Sequence, residues 1–301
     1  NCGQNGAMTQ VLCIGSVLWD VIGRSASHMR QGSDVPGRIS CLPGGVALNI
    51  AMTLKRFGVE PVLLSSIGRD SEGDALVVAC EKLGLDCQYI YRSEDLPTDR
   101  YMAIEGVNGL ITAIADAHSL EATGYKILTP LITGPFGTQA RPFAGVISLD
   151  GNLTHSLLEE IAVSPLFAQC DLRVAPASPG KAERLMPFLY HGRALLYANL
   201  EEAMLLCNTT CATAYDAAKA LLAKGASRVL VTDGANPACD GDAREMIVQP
   251  PPDVLATRVT GAGDTFMAAH MAAELAGSSR VEALRLALDT AARYVSGETA
   301  L

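Results

Sequence analysis

Short apolar runs alternate with amphipathic stretches through most of the second half of this chain. The apolar runs that we predict as buried strands cover residues 146–149, 172–174, 194–197 and 229–231. The amphipathic stretches that we predict as helices cover residues 153–163, 178–189, 200–207 and 213–224. Because parallel strands need a crossover between them, usually a helix, this alternation indicates an α/β fold. Its central sheet should be mostly parallel, with helices on both faces.

The first third of the chain begins with the same pattern. We predict strands at residues 11–14 and 61–67, one helix that begins after Gly44–Gly45 and stops at Gly58, and a second helix at residues 71–83. In the first of these helices, Ile50, Leu54 and Phe57 form the apolar face, and Gly58 ends it. Glycine, proline and polar residues predict loops at residues 25–38, 129–142 and 250–252.

Two segments that alternate apolar and polar residues, 101–105 and 110–114, do not fit the parallel pattern. The turn 106–109 between them contains Gly106, Asn108 and Gly109, so we predict a β-hairpin. We place the hairpin outside the main sheet, in a small β-sheet lid built from about residues 20–41 and 98–116. The rest of residues 8–301 is predicted to form a single domain with it.

The bulk composition excludes several classes of protein. Hydrophobic residues make up 49% and charged residues 18% of the 301 positions, and no apolar run is long enough to span a membrane. A net charge of −9 without a basic stripe argues against a nucleic-acid partner. The nine cysteines are predicted to be buried thiols of a reducing cytoplasm and not metal ligands. Residues 1–7 have no signal-peptide character, and we expect a remnant of cloning there, with Met8 as the natural start.

A glycine-rich turn near the end of the chain, T-G-A-G-D from Thr260 to Asp264, leads into a predicted helix. At such a junction, unpaired backbone N–H groups and the positive end of the helix dipole converge, which favours an anion. Asp264 follows at once, where its carboxylate can accept a proton from a hydroxyl that attacks phosphorus. Taken alone, G-A-G-D is equally well explained by an aspartate that caps a helix after a flexible loop.

The segment resembles the C-terminal motif of the ribokinase family, the PfkB-type carbohydrate kinases. The resemblance implies an ATP- and Mg²⁺-dependent sugar or nucleoside kinase, with Asp264 as catalytic base. It also implies an anion hole formed by the backbone of Gly261, Ala262 and Gly263. In this family the lid closes over the sugar and often pairs between subunits, so a homodimer is expected. Closure excludes water, which would otherwise compete with the sugar as nucleophile.

The acceptor sugar is expected to bind to residues from the first half of the chain. Asp20, the Gly44–Gly45 turn and Asn49 combine a carboxylate and an amide with a glycine-lined floor, which suits the vicinal hydroxyls of a ribose. Each alone is better explained as an ordinary turn or helix residue, but their order along the chain matches the family. We add four further candidates for substrate binding: Thr98, Tyr101, Asp116 and Asn152. Cross-strand packing explains Thr98 and Tyr101 equally well.

The nucleotide is expected at the ends of later strands, where doubly wound sheets bind ligands. Asn199 and Glu202 match the family's N-x-x-E element, in which the Glu helps to place Mg²⁺ and its waters. An N-cap asparagine with first-turn acids is the plain structural alternative. Thr232, Gly234 and Thr260 complete the predicted nucleotide contacts. Pro237 replaces a later glycine of the family pattern, which leaves the detail of the nucleotide side open.

Several short stretches are similar to the pseudouridine kinases of that family. They cover residues 36–51, 110–117, 150–152 and 176–181, and the last of them ends at Lys181, which we leave out of the site. Two positions depart from that pattern, because Leu18 replaces an Asn and Ala175 replaces an Asp. The favoured hypothesis is a kinase that phosphorylates the 5′-hydroxyl of pseudouridine.

Three alternatives remain. The first is a kinase for free ribose, another pentose or a keto-sugar. The second is a nucleoside-binding protein without catalysis, which the departures at Leu18, Ala175 and Pro237 make conceivable. A dinucleotide-dependent oxidoreductase is the weakest, because no G-x-G-x-x-G follows the first strand.

Overall fold

The computed structural model describes residues 9–107 and 109–298. Residues 1–7, which we expect to be a remnant of cloning, lie outside the described part of the chain, as do Met8 and Asn108 of the predicted turn. The strands are β1 (Gln10–Ile14), β2 (Leu18–Arg24), β3 (Arg38–Gly44), β4 (Glu60–Leu64), β5 (Ser66–Gly68), β6 (Tyr91–Ser93), β7 (Arg100–Gly106), β8 (Gly109–Asp116), β9 (Thr133–Gly134), β10 (Gly137–Thr138), β11 (Val146–Asp150), β12 (Asp171–Ala175), β13 (Leu195–Asn199), β14 (Arg228–Asp233), β15 (Asn236–Asp242) and β16 (Met246–Gln249).

Helices cover both the segments between strands and the C-terminal part of the described chain. The α-helices are α1 (Val46–Arg56), α2 (Ser71–Lys82), α3 (His118–Thr123), α4 (Thr129–Ile132), α5 (His155–Val163), α6 (Met186–Leu189), α7 (Leu200–Cys207), α8 (Ala214–Ala223), α9 (Ala262–Leu275) and α10 (Arg280–Ser296). Short 3₁₀ helices are formed by Gly124–Leu128, Pro165–Phe167 and Pro179–Leu185. Among the described helices, none is both long and apolar enough to cross a bilayer.

The central sheet has eight strands in the order β16-β15-β14-β13-β12-β11-β1-β4. From β4 to β14 all neighbours are parallel, and β15 and β16 add an antiparallel edge. Strand β1 is apolar on both faces, since Leu12 and Ile14 pack into one core cluster and Val11 and Cys13 into the other. The predicted α/β fold with a mostly parallel sheet covered on both faces is therefore confirmed.

A separate four-stranded sheet, the lid sheet, has the order β3-β2-β7-β8. Strand β7 pairs antiparallel with β8, which confirms the predicted hairpin, and β2 pairs antiparallel with β3. The central pair, β2 and β7, is parallel, so the lid sheet is mixed. Its strands cover 18–24, 38–44, 100–106 and 109–116, close to the predicted bounds.

Some predicted elements differ from the structure. Residues 178–189 form a 3₁₀ helix followed by the four-residue α6, because Pro179, Gly180 and Pro187 disfavour a continuous α-helix. The predicted strand 61–67 is divided, since the chain leaves the central sheet after β4 and then pairs β5 with β6. Phe57 is not on the buried face of α1, because it follows the helix as its C-cap and is 38% exposed.

Other features were missed or placed wrongly. The predicted loop 129–142 contains α4 and the small β9–β10 hairpin. Pro237 lies in β15, opposite an irregularity of β14 between Val231 and Asp233. A proline is tolerated there because the ladder is already interrupted at that point. Cys41, predicted to be buried, is exposed on β3 of the lid sheet.

Candidate active site

Helix α9 begins at the predicted glycine-rich turn. Gly261 is its N-cap and has φ +87°, a left-handed conformation that favours glycine. The N–H groups of Gly261, Gly263 and Asp264 have no hydrogen-bond partner among the described residues, whereas that of Ala262 donates to the carbonyl of Val259 at 3.0 Å. A Cβ on Gly263 would meet no heavy atom within 4 Å, so an anion can approach the backbone there. The turn therefore has three N–H donors without a partner among the described residues, and the amide of Ala262 is not one of them.

Asp264 lies in the first turn of α9 and contacts α1. Its Oδ2 accepts a hydrogen bond from Nδ2 of Asn49 at 2.9 Å, and its Oδ1 has no partner in the described part of the chain. Burial raises the pKa of Asp264 to about 7, although the bond from Asn49 acts in the opposite direction. The negative charges of Asp150, Asp20 and Glu202 raise this pKa further. A carboxylate with a pKa near neutrality and one free oxygen suits a general base.

Asp20 lies on β2, at the edge where the lid sheet meets α1. Its carboxylate has no hydrogen-bond partner among the residues described, and burial raises its pKa to about 6. A Cβ on Gly44 would overlap the Asp20 carboxylate, so this carboxylate can occupy its position only because residue 44 is glycine. Tyr101 is the neighbour of Asp20 across β2 and β7. The arrangement leaves a partly buried acceptor available for sugar hydroxyls.

A buried network supports the floor of the site. Gly45 caps α1 with φ +101°, and a Cβ there would overlap the carbonyl of Ser16. Ser16 donates through its N–H and its hydroxyl to Oδ2 of Asp150, both at 2.7 Å, and its hydroxyl accepts from the N–H of Val46 at 2.9 Å. Asn152 donates to the same hydroxyl at 3.1 Å. The start of α1 is thereby fixed to the ends of β1 and β11.

Lys181 joins this network, although the sequence analysis left it out. Its ammonium donates to Oδ1 of Asn152 at 2.6 Å, and burial lowers its pKa. Ser16 and Asp150 were also missed as members of the network. A detectable signal existed for both, because each is a polar residue at the carboxyl end of neighbouring parallel strands, the edge at which such sheets bind ligands.

Asn199 and Glu202 form a capping box at the start of α7. The Asn199 side chain accepts from the N–H of Glu202 at 2.8 Å, and the Glu202 carboxylate accepts from the N–H of Asn199 at 2.9 Å. Burial raises the pKa of Glu202 to about 7. The capping role is therefore observed, and the negative charge of Glu202 also raises the pKa of Asp264.

Two further predicted nucleotide contacts, Thr232 and Gly234, lie at the carboxyl end of β14. Thr232 is beside Asn199 in the register of β13 and β14, and Gly234 follows with φ +56°. Thr260 is exposed, and its carbonyl accepts from the hydroxyl of Tyr294 at 2.5 Å. In the described part of the chain, no group of three or more His, Cys, Asp or Glu side chains could hold a metal ion. A bound Mg²⁺ would thus depend mainly on phosphate oxygens and water, with Glu202 nearby.

Two predicted sugar contacts have other partners in the structure. The hydroxyl and the N–H of Thr98 donate to Asp70, the N-cap of α2, at 2.6 and 2.9 Å, and Thr98 is buried. Asp116, at the exposed end of β8, is hydrogen-bonded to His118 at 2.8 Å, which lowers its pKa. Neither residue is connected by a contact to the group around Asp264.

The chain is similar to known sugar and nucleoside kinases. The model of the pfkB family carbohydrate kinases matches residues 8–300. The uncharacterized sugar kinase YeiI of Escherichia coli (strain K12) is 29% identical over 93% of this chain and 76% of its own length. A pseudouridine kinase of the same organism is 26% identical over 96% of this chain and 91% of its own length. The structure of Arabidopsis thaliana ribokinase complexed with ribose and ATP superposes with a TM-score of 0.74 at 19% identity, covering 98% of this chain and 94% of that one.

Proposed function

The chain belongs to the pfkB family of carbohydrate kinases, and we propose that it phosphorylates the 5′-hydroxyl of a ribonucleoside, with pseudouridine as the favoured substrate. A member of this family is a phosphotransferase that transfers a phosphoryl group to an alcohol. ATP as donor, Mg²⁺ as its counterion and the individual roles of the residues are part of the proposal.

The observation that carries the proposed role of Asp264 is its contact with Asn49. One carboxylate oxygen is held at 2.9 Å by the amide, while the other has no partner in the described chain. A hydroxyl bound between Asp20 and Asp264 would give its proton to the free oxygen as it attacks phosphorus. As the bond from the hydroxyl oxygen to the γ-phosphorus forms, the bond from that phosphorus to ADP breaks and ADP leaves. The raised pKa of about 7 makes this carboxylate a stronger base than an ordinary aspartate while it is still partly ionised at neutral pH.

The proposed anion hole stabilises the charge that develops on the transferred group. The N–H groups of Gly261, Gly263 and Asp264 are available for this, in place of the predicted set that included Ala262. Removing one donor of such a hole costs about 10²–10³ in kcat in well-studied enzymes. Magnesium, when bound with ATP, would neutralise phosphate charge, and the buried acid Glu202 is the protein group closest to that task.

Two observations support a nucleoside over a free sugar. The pseudouridine kinase of E. coli is among the relatives that align over nearly the whole chain. The ammonium of Lys181, next to the floor under α1, donates one hydrogen bond to Asn152 and has two further N–H groups that could bond a polar base. The carboxylate of Asp20 could bind the hydroxyls of free ribose equally well, so an experiment has to distinguish a nucleoside from a free sugar as acceptor.

The test is a comparison of acceptors with Mg·ATP. Turnover is measured by ADP release on pseudouridine, uridine, adenosine, ribose and 2-keto-3-deoxygluconate, and the product is located by phosphorus NMR. We expect the highest kcat/KM for pseudouridine and a 5′-monophosphate product. A higher kcat/KM for ribose or the keto-acid would overturn the nucleoside assignment. Nucleoside binding by calorimetry without ADP release would instead support the non-catalytic alternative.

We also propose that the protein is a homodimer and that it acts in the cytoplasm. The lid sheet exposes large apolar side chains, among them Ile39 at 76%, Ile114 at 67% and Met102 at 49%. Exposed apolar residues on one small sheet support pairing with a second copy of the chain. Sedimentation of the purified protein would test this pairing, and Ile114→Lys should favour the monomer.

A further inference from the structure

The segment that precedes α9 is attached to the end of α10. The N–H groups of Thr257 and Arg258 both donate to the carbonyl of Val295, at 2.7 and 3.2 Å. The guanidinium of Arg258 lies 4.0 Å from the ring centroid of Tyr294, and its Nε donates to the carbonyl of Tyr294 at 2.6 Å. A cation over an aromatic face is attractive, and here the same cation also bonds the backbone. Helix α10 therefore holds the chain just before the glycine turn.

Tyr294 reaches from this junction to the turn itself. Its hydroxyl donates to the carbonyl of Thr260 at 2.5 Å, and the side chain is only 6% exposed. A Cβ on Gly261 would be 2.6 Å from that hydroxyl, so the phenol packs directly against the N-cap of α9. Burial raises the pKa of Tyr294, and the phenol therefore keeps the proton that it donates.

This bond determines the orientation of one peptide plane. In a trans peptide the C=O and the N–H point to opposite sides. With the carbonyl of Thr260 held by Tyr294, the N–H of Gly261 must point away from α10. That N–H is one of the donors without a partner among the described residues. This carbonyl has no other hydrogen-bond partner in the described chain, so without the phenol hydroxyl no hydrogen bond to it would keep the plane from rotating.

We propose that Tyr294 is a positioning residue of the anion hole, which holds the Thr260–Gly261 peptide so that the N–H of Gly261 faces the transferred phosphoryl group. The inference rests on the proposed function of the turn, and it adds a residue that neither touches the acceptor nor carries charge. A positioned donor matters most where charge develops, so its loss should act on the transition state more than on bound substrates.

The test is the near-isosteric variant Tyr294→Phe, which keeps the ring under Arg258 and removes only the hydroxyl. Its matched control is Tyr190→Phe, because Tyr190 is 66% exposed and its hydroxyl forms no hydrogen bond within the described chain. Kinetics are measured with whichever acceptor the wild type phosphorylates best. We expect kcat to fall about tenfold in Tyr294→Phe, between the effect of one ordinary hydrogen bond and that of a lost oxyanion donor. Both KM values should remain within about twofold, since ground-state contacts are unchanged.

A second readout does not need turnover. Binding of ADP is measured by calorimetry with and without aluminium fluoride, which stands in for the transferred phosphoryl group. The gain in ADP affinity caused by aluminium fluoride should be about tenfold smaller in Tyr294→Phe than in the wild type. The affinity for ADP alone should be unchanged. If no acceptor is phosphorylated by the wild type, the proposed substrate fails while this binding experiment still decides the role of Tyr294. The inference would be overturned if Tyr294→Phe left both kcat and the effect of aluminium fluoride unchanged. It would also be overturned if the lower kcat were accompanied by lower thermal stability and raised KM values.

Discussion

Nδ2 of Asn49 donates to Oδ2 of Asp264 at 2.9 Å, across 215 positions of the sequence. The bond joins α1, which begins at the glycine turn beside Asp20, to α9, which begins at the anion-binding turn. Because one oxygen of Asp264 is held and the other is free, the orientation of the carboxylate is set by the packing of these two helices. The acceptor half and the phosphate half of the site therefore meet at this contact.

The pH dependence of kcat/KM should follow the ionisation of Asp264. A base must be unprotonated, so activity is expected to rise as pH increases through about 7, the pKa of this group. The Asn49 amide lowers that pKa, and Asn49→Ala should therefore move the rising limb to higher pH. The profile of each protein is recorded on the same acceptor. A limb that stays in place, or moves to lower pH, would contradict the link between the two residues.

The same group should reduce stability at neutral and alkaline pH. An unfolded aspartate titrates near 3.8 and the folded Asp264 near 7, so the folded state binds more protons between these values and loses stability as pH rises. Asp264→Asn removes the penalty and keeps an acceptor for Asn49. We expect its free energy of unfolding to exceed the wild type by about 2 kcal/mol at pH 8, and by less at pH 5. Denaturant unfolding at the two pH values measures this, and a variant that is less stable at pH 8 would argue against a buried charge.

Gly44 should be needed for acceptor binding but not for nucleotide binding. A Cβ at this position overlaps the Asp20 carboxylate, so Gly44→Ala must displace it. We expect the KM of the acceptor to rise at least tenfold, because displacement of a binding group by about 1 Å can cost 10²-fold, while the KM of ATP stays within about twofold. Gly180→Ala is the control, since a Cβ there meets nothing within 4 Å. Equal changes in both KM values would indicate a general distortion.

Glu202→Gln separates the metal role of this residue from its capping role. Glutamine can still accept the N–H of Asn199, so the cap is kept and thermal stability should not fall. If the charge helps to place Mg²⁺, the Mg²⁺ concentration for half-maximal activity should rise about tenfold, a loss typical for a residue that orients metal-bound groups. Glu201→Gln, at the exposed neighbouring position, is the control. A Mg²⁺ dependence equal to that of the control would leave Glu202 with the capping role alone.

Much of the fold could be predicted because its strands and helices are defined by local patterns. All of Val11 to Ile14 is apolar, as a strand covered on both faces requires, and Ile50 and Leu54 lie at helical spacing on the buried face of α1. Phe57 shows the limit of such patterns, because the same spacing continues to the C-cap, one residue beyond the end of the helix. The antiparallel edge was missed because Pro237 interrupts the apolar pattern of β15.

The residues of the site could likewise be predicted only where they stand in a sequence motif. Asp264 and Asn49 stand in recognisable motifs, so both could be predicted without coordinates. Lys181 and Tyr294 could not, because their importance depends on which distant backbone or amide they meet: Asn152, 29 positions away, and Thr260, 34 positions away. A lysine or a tyrosine on a helix gives no local sign of such a partner. The hydrogen bond of Ala262 to Val259 depends equally on the conformation of the turn.

The most direct test of Asp264 as the base is turnover of Asp264→Asn with saturating Mg·ATP and the best acceptor. Asp289→Asn, on α10, is the control for the loss of one negative charge. The account predicts that kcat falls about 10²–10⁴-fold in Asp264→Asn, the usual contribution of a positioned base, while ATP and acceptor still bind. A kcat within about threefold of the wild type would contradict it, because proton transfer would then not depend on this carboxylate.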